Sequence, residues 1–347
     1  MLEGYSTNAT VAKVRSIYGS LLTMDDQREL VAKRSVTEVC DALKRMHGFS
    51  EALRDIDPNT IHRGHLENIL HKFAFDTYAR LCGFQKLDGD PFFSFYIKSL
   101  ECQQLINLVN AISNGLSREF VEALPGYLLE HSKLKLLELA HCHSFDELMP
   151  RLKGTAYYKP LRSAARTEDG RPDFTDAEMR IRTAFYSELM QSVKASSFSK
   201  AEKNELEALI KADVDMINII NSLRLKTYFG YNADDIKLFM LPFTGAGKRV
   251  MQEIYSSDSP EQMLARIEHT KYGRAIDEGR DAHDIERSLQ QNRLRQMKHT
   301  IAGSNSAAVV MYAFMYILDN EIRNLVRIIE GVRYDVDPAL IFKLLVV

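Results

Sequence analysis

Apolar residues recur along this chain at steps of three and four, and seldom at steps of two. Residues 8–22 put Val11, Val14, Ile17, Leu21 and Leu22 on one face, and residues 61–82 do the same with Leu66, Ile69, Leu70, Phe73 and Tyr78. That spacing predicts amphipathic helices. The punctuation agrees with it. Ser35 with Glu38 and Ser199 with Glu202 form capping boxes, and Asn232 with Asp235 caps a shorter helix. Asp90-Pro91 and Asp337-Pro338 place proline at a first helical position, and Asn114-Gly115 is a left-handed stop. No alternating stretch bounded by hairpin turns occurs, so the chain is expected to be all-α with sheet content near zero.

One helical phrase occurs three times. Residues 106–112 read INLVNAI, 217–223 read INIINSL and 323–329 read RNLVRII. Asn107, Asn218 and Asn324 are each followed by two aliphatic residues and preceded, three positions earlier, by Gln104, Asp215 and Glu321. A second landmark follows. Residues 144–161 and 259–276 align without a gap, pairing Ser144 with Ser259, Arg151 with Arg266, Thr155 with Thr270 and Tyr157 with Tyr272. Residues 35–49 look like a worn copy, in which Met46 and Gly48 replace the Thr and Tyr. Recurrence of ordered landmarks marks a repeat architecture, here with a unit of about 110 residues, closer to a helical lobe than to a small solenoid repeat.

Polar segments at 163–175 and 273–284 suggest boundaries. The expected parts are 1–56, 57–162, 163–280 and 281–347. The last ends at Val347 without a Ser-x-x-Glu element, and residues 1–56 contain one. The two ends are therefore expected to meet and complete a third lobe.

Composition narrows the function classes. The chain has 347 residues, 45% of them hydrophobic and 27% charged, enough to bury a large core. Lys+Arg at 45 against Asp+Glu at 47 leaves a formal charge of −2, which gives no global basic field for nucleic acid. The longest apolar run, 307–318, falls short of the roughly 20 residues a membrane-spanning helix needs. The N-terminus has neither the basic nor the apolar segment of a secretory signal, and Cys40, Cys82, Cys102 and Cys142 show no CxxC spacing. Both features point to the cytoplasm.

Candidate chemistry is sparse. TGAGKR (244–249) has Gly-Lys but lacks the first glycine, the Ser/Thr and the preceding strand of a nucleotide loop, and reads as an interhelical loop. His141-Cys142-His143 cannot jointly face one ion from a helix and reads as a helix end. DAHD (281–284) lies in a linker without a partner motif, and Arg287, Arg293, Arg295, Lys298 and His299 read as a solvated face. No catalytic residues, metal or cofactor are expected. The repeated asparagines ask for partners, because an amide within a helix competes for backbone hydrogen bonds. They are expected to tie neighbouring helices together or to line a shared central surface.

The repeated Asn phrase, the Ser-x-x-Glu elements ending in Thr-x-Tyr, Asn8-Ala9 with Val14-Arg15, and the ending DNEIRNLVRIIEGVRYDVDPALI together resemble the C subunits of the archaeal and bacterial A/V-type rotary ATPases, whose eukaryotic equivalent is the V-ATPase d subunit. The similarity runs over essentially the whole chain. It implies three similar helical lobes in a pseudo-threefold, funnel-like socket, located at the membrane periphery without a span. It also implies a non-catalytic central-stalk role. One mouth would sit on the membrane proteolipid rotor ring and the other would receive the shaft made by the D and F subunits, with the membrane stator as a further partner. Torque would then pass between ATP hydrolysis or synthesis and proton or sodium transport. Gln104, Asn107, Asp215, Asn218, Glu321, Arg323, Asn324 and Arg327 are the candidate interface or lobe-lining residues. The competing reading is a helical-repeat adaptor unrelated to ATPases.

Overall fold

The computed structural model describes residues 2–85, 87–167, 170–273 and 282–347. The chain is all-α: every regular element is a helix, and a single isolated bridge joins Arg166 and Pro172 among the described residues. Two compact units are formed, one from Met1–Gly89 with Arg287–Val347 and the other from Asp90–Glu286.

The first unit is built on the helix Ala307–Arg333, whose apolar residues go nearly all the way round. Val309, Val310, Met311, Phe314, Leu318, Leu325, Ile328 and Ile329 are fully buried along it. A helix with that composition has to be wrapped by others. The wrapping helices are Leu2–Tyr18, Met24–Val31, Val36–Arg45, Arg63–Gln85 and Pro338–Leu344. Gly331 permits the last of these to approach, since a Cβ there would lie 2.6 Å from Ile341 Cγ1. Arg15 serves the neighbouring helix Ala282–Gly303. Its guanidinium donates to the carbonyls of Ile301 (2.9 Å), Ala302 (3.2 Å) and Ser304 (2.9 Å), which the end of that helix leaves without helical partners.

The N-terminal helix ends at Tyr18, four residues before the hydrophobic pattern stops. The Ser20 hydroxyl donates to the carbonyl of Ile17 (2.7 Å), and the chain turns. Leu21 and Leu22 thus leave the helix, and the Leu22 N–H is freed for a partner elsewhere.

The second unit pairs the helices Phe95–Asn114 and Phe174–Ala195 and adds the long helix Lys200–Phe229. Phe92, Phe93, Phe95 and Phe198 cluster at the start, with ring centroids 5.2 to 5.9 Å apart for Phe92–Phe95, Phe92–Phe93, Phe92–Phe198 and Phe93–Phe198. Asp90 caps Phe92 N (2.9 Å) and also accepts from Ser197 N (3.0 Å), joining the beginnings of two helices. In the polar stretch 163–175, local hydrogen bonds hold the described residues on both sides of the isolated bridge. Thr167 N donates to Arg171 O (2.9 Å) and Asp173 N to Ala165 O (2.9 Å), while Arg166 reaches Asp146 (2.6 Å). The neighbours of the stretch hold it as well: Asp176, just beyond it, accepts the Ala165 N–H (2.7 Å), and Arg171 donates to the Ser113 carbonyl (2.9 Å). Of the charged segment 273–284, residues 274–281 lie outside the described part, including Asp281 of DAHD.

Candidate functional site

The helix Lys200–Phe229 carries a carboxylate and an amide one turn apart, both aimed inward. Asp215 is fully buried and Asn218 nearly so. Asp215 accepts the Thr244 hydroxyl (2.6 Å), the Gly245 N–H (3.0 Å) and the Tyr272 hydroxyl (2.5 Å). Asn218 exchanges two hydrogen bonds with one residue: its Nδ2 donates to Leu241 O (2.9 Å), and Leu241 N donates to its Oδ1 (2.8 Å). The Gly-rich loop after Pro242 therefore presents its N–H to a carboxylate of its own chain. That N–H and hydroxyl are engaged by Asp215, as an interhelical loop rather than a nucleotide loop would have them.

The same pair recurs in the helix Ala307–Arg333. Asn324 Nδ2 donates to Val346 O (2.8 Å), and Val346 N returns a bond to Asn324 Oδ1 (3.1 Å). Asn320 reinforces it by donating to the same Val346 carbonyl (2.8 Å). Glu321, one turn before Asn324, is buried and accepts the Leu22 N–H (3.1 Å). Its other oxygen has no protein partner.

In the helix Phe95–Asn114 the carboxylate role falls to Glu101, one turn before Gln104. Glu101 is buried and accepts the Ser132 hydroxyl (2.6 Å) and the N–H groups of Lys133 (2.7 Å) and Leu134 (3.3 Å). Tyr157, the counterpart of Tyr272, has its phenol pushed up chiefly by burial, with the charges of Cys102, Glu101 and Glu188 adding to the effect. Gln104 is half-buried, and Asn107 is exposed with its Oδ1 held by Gln103 Nε2 (2.9 Å). Two of the three repeated asparagines are thus internal clamps, and the third is not.

The second landmark has one geometry in all three copies. Ser35, Ser144 and Ser259 each accept an N–H three residues on, from Glu38 (3.1 Å), Glu147 (3.2 Å) and Gln262 (3.3 Å). Glu38, Glu147 and Gln262 reach back to the N–H groups of Arg34, His143 and Asp258. Thr155 and Thr270 each bridge a helix end to a tyrosine, donating to Leu152 O and Ile267 O and accepting from Tyr157 N and Tyr272 N.

Two of the other sequence features have internal uses. His141 ends a short helix, and Cys142 beside it accepts from Arg151 (3.3 Å). The basic run on Ala282–Gly303 is partly structural, because Arg293 is buried over the Tyr316 ring and Arg287 donates to Lys343 O (2.6 Å). Among the described residues no three or more His, Cys, Asp or Glu side chains gather as a metal site would require. No helix there is long and apolar enough to cross a membrane.

Burial sorts the eight sequence candidates. Asp215, Asn218, Glu321 and Asn324 hold elements together inside their units, whereas Gln104, Asn107, Arg323 and Arg327 reach the surface. Arg327 donates to Asn324 Oδ1 (3.1 Å). A surface feature that pattern reading passed over lies at the ends of the repeated helices. Leu116 follows the first, Tyr228 and Phe229 close the second, and Tyr334 caps the third; all are exposed, Phe229 at 67%. The short helices that follow the second and third add Leu238, Leu340 and Leu344. Apolar residues next to left-handed stops such as Gly115 and Gly230 were the available signal.

Comparison with known proteins gives one family. The model of the ATP synthase (C/AC39) subunit family matches residues 10–344. The C subunit of the A-type ATP synthase of Desulfurococcus sp. (strain SY) is 23% identical over 96% of this chain and 88% of its own length. The protein of the same name from Pyrococcus abyssi is 24% identical over 94% and 86%, and that from Pyrococcus furiosus is 25% identical over 71% and 66%.

Proposed function

The chain belongs to the ATP synthase (C/AC39) subunit family, and from that premise we propose that it is a non-catalytic central-stalk component of an A/V-type rotary ATPase. In this reading three similar helical lobes form a funnel-like socket. One mouth rests on the membrane proteolipid ring, and the other holds the D–F shaft. Torque passes through it between ATP hydrolysis or synthesis and proton or sodium movement. The observation that carries the reading is the family match along nearly the entire chain, residues 10–344.

The internal frame supports it. A coupling has to resist shear without doing chemistry, and each clamp here fixes a helix to a distant loop through paired hydrogen bonds in a dry interior, where such bonds are costly to break. The buried carboxylates and amides are held as structural anchors, and contacts with the ring, the shaft or the membrane stator fall to the exposed apolar ends with Arg323 and, beside its bond to Asn324, Arg327. Mixed charge with isolated apolar anchors suits a wet, dissociable interface. The family membership sets aside an adaptor unrelated to rotary ATPases.

The test is co-purification of the tagged chain with separately produced D–F shaft and detergent-solubilised proteolipid ring. Simultaneous capture of both is expected. Capture of neither by a folded, helical chain would overturn the socket.

A further inference from the structure

The three equivalent carboxylates differ in one respect. Asp215 meets a hydroxyl, a backbone N–H and the Tyr272 phenol, and Glu101 meets a hydroxyl and two N–H groups. Glu321 meets only the Leu22 N–H, although its relative exposure is just 5%. The reason can be followed in the chain. The N-terminal copy of the second landmark has Gly48 where Tyr157 and Tyr272 stand, and a Cβ at Gly48 would lie 2.6 Å from the Ser20 carbonyl. The backbone of the turn after Tyr18 lies where a Cβ at Gly48 would go, and the one donor to Glu321 is the Leu22 N–H of that same turn. One donor has taken the place of several.

Glu321 Oε1 is left without a protein partner beside a cavity of about 190 Å³. Gln27 lines the same cavity, is itself buried, and its Oε1 also has no partner. A charged carboxylate this deeply buried with only one donor is costly, and a proton on its free oxygen removes the charge. We propose that Glu321 is a proton-operated latch: the protonated carboxyl holds the turn 19–23 and the helix Met24–Val31 against the helix Ala307–Arg333, and loss of the proton releases them.

The surroundings favour the protonated form. Tyr18 lines the cavity from the N-terminal helix and Lys298 from the helix Ala282–Gly303, while Asp26 acts from the helix Met24–Val31. Burial pushes the Glu321 carboxyl up to about 8; the Leu22 N–H opposes the shift, Asp26 adds to it and Lys298 again opposes it. Once the turn lifts away, water restores the ordinary value near 4.5. Latching is therefore strongest below the lower value, weakens as pH rises toward the upper one, and is constant above it.

Hydrogen exchange of the full-length chain tests this. Amide exchange across residues 18–27, corrected for the intrinsic pH effect, should report opening that increases by up to about tenfold per pH unit from about pH 5 to about pH 8 and then levels off. Residues 241–246, over the fully donated Asp215, should show no such rise in the same sample. Glu321→Gln supplies an amide donor and should make the 18–27 opening independent of pH. A flat profile in the unaltered chain, an equal rise at 241–246, or an unchanged slope in Glu321→Gln would overturn the latch. The two segments are compared within the unaltered chain, so the result stands even if a variant fails to fold.

Discussion

Asn324 and Val346 exchange two hydrogen bonds, 2.8 and 3.1 Å long, and thereby fix the last residues of the chain to the middle of its most buried helix. Asn218 and Leu241 repeat the exchange in the other unit at 2.9 and 2.8 Å. An amide carries a donor and an acceptor side by side and can satisfy the N–H and C=O of one residue together, which explains a mediocre helix former at a buried position.

Asn218→Ala leaves the Leu241 N–H and C=O unpaired, and Asn324→Ala leaves the Val346 N–H unpaired while its C=O keeps only the bond from Asn320. Asn218→Ala and Asn324→Ala should each lose about 2–4 kcal/mol in urea unfolding. Asn107→Ala, at an exposed position, should stay within about 0.5 kcal/mol. Equal losses at all three sites would refute the division into clamps and a bystander.

Removing the Tyr272 hydroxyl takes one donor from the buried Asp215 while leaving the others in place. Tyr272→Phe should cost about 1.5–3 kcal/mol, the range for a hydrogen bond to a charged group. Tyr157→Phe should cost much less, because the Tyr157 hydroxyl has no hydrogen-bond partner to lose. Parallel thermal melts of the two variants make the comparison, and a larger loss at Tyr157 would contradict it.

Much of the fold could be read before any coordinates. The N-cap at Ser35, the capping box at Ser199, the Asp90-Pro91 start and the Gly115 stop fall where the pattern puts them, because caps act through neighbours only three or four residues away; at Ser35 the returning Glu38 bond goes to the Arg34 N–H and the box is not closed. The repeat register in the first long helix did not come through. Matching INLVNAI to INIINSL aligns Gln104 with Asp215, yet the buried carboxylate is Glu101. Aliphatic residues recur every three or four positions in such helices, so a slip of one turn preserves the apolar pattern while shifting which polar residues are paired. The warning was present: Asn107 to Asn218 is 111 residues, whereas Tyr157 to Tyr272 is 115. The unsatisfied oxygen of Glu321 was beyond reach, since it depends on a backbone turn filling the space beside Gly48.

All four cysteines are buried, and burial pushes the Cys102 thiol up to about 12, with Arg182 opposing and Glu178 assisting. Thiolate is the reactive form, so Cys102 should remain unmodified by iodoacetamide at about pH 8.5 in the folded protein and react only after denaturation. Mass spectrometry of the labelled peptide checks this. Rapid native labelling at Cys102 would contradict the packing of the helix Phe95–Asn114.

The exposed apolar ends predict a separation of binding from stability. Phe229→Ser with Leu238→Ser should leave the melting temperature within about 2 °C, since both side chains are largely exposed. Capture of the proteolipid ring or the D–F shaft should fall at least about tenfold, as expected when apolar anchors are lost from an interface. Charge reversal at Arg323 and Arg327 together should also weaken capture. Undiminished binding of both partners in both variants would place the contacts elsewhere.

Ion transport by the whole complex in vesicles, measured with and without this chain while ATP hydrolysis is followed in parallel, bears most directly on the coupling role proposed for it. Omission should abolish ATP-driven transport, leave hydrolysis by the soluble head running, and be reversed by adding the chain back. Transport that continues undiminished without it would contradict the socket.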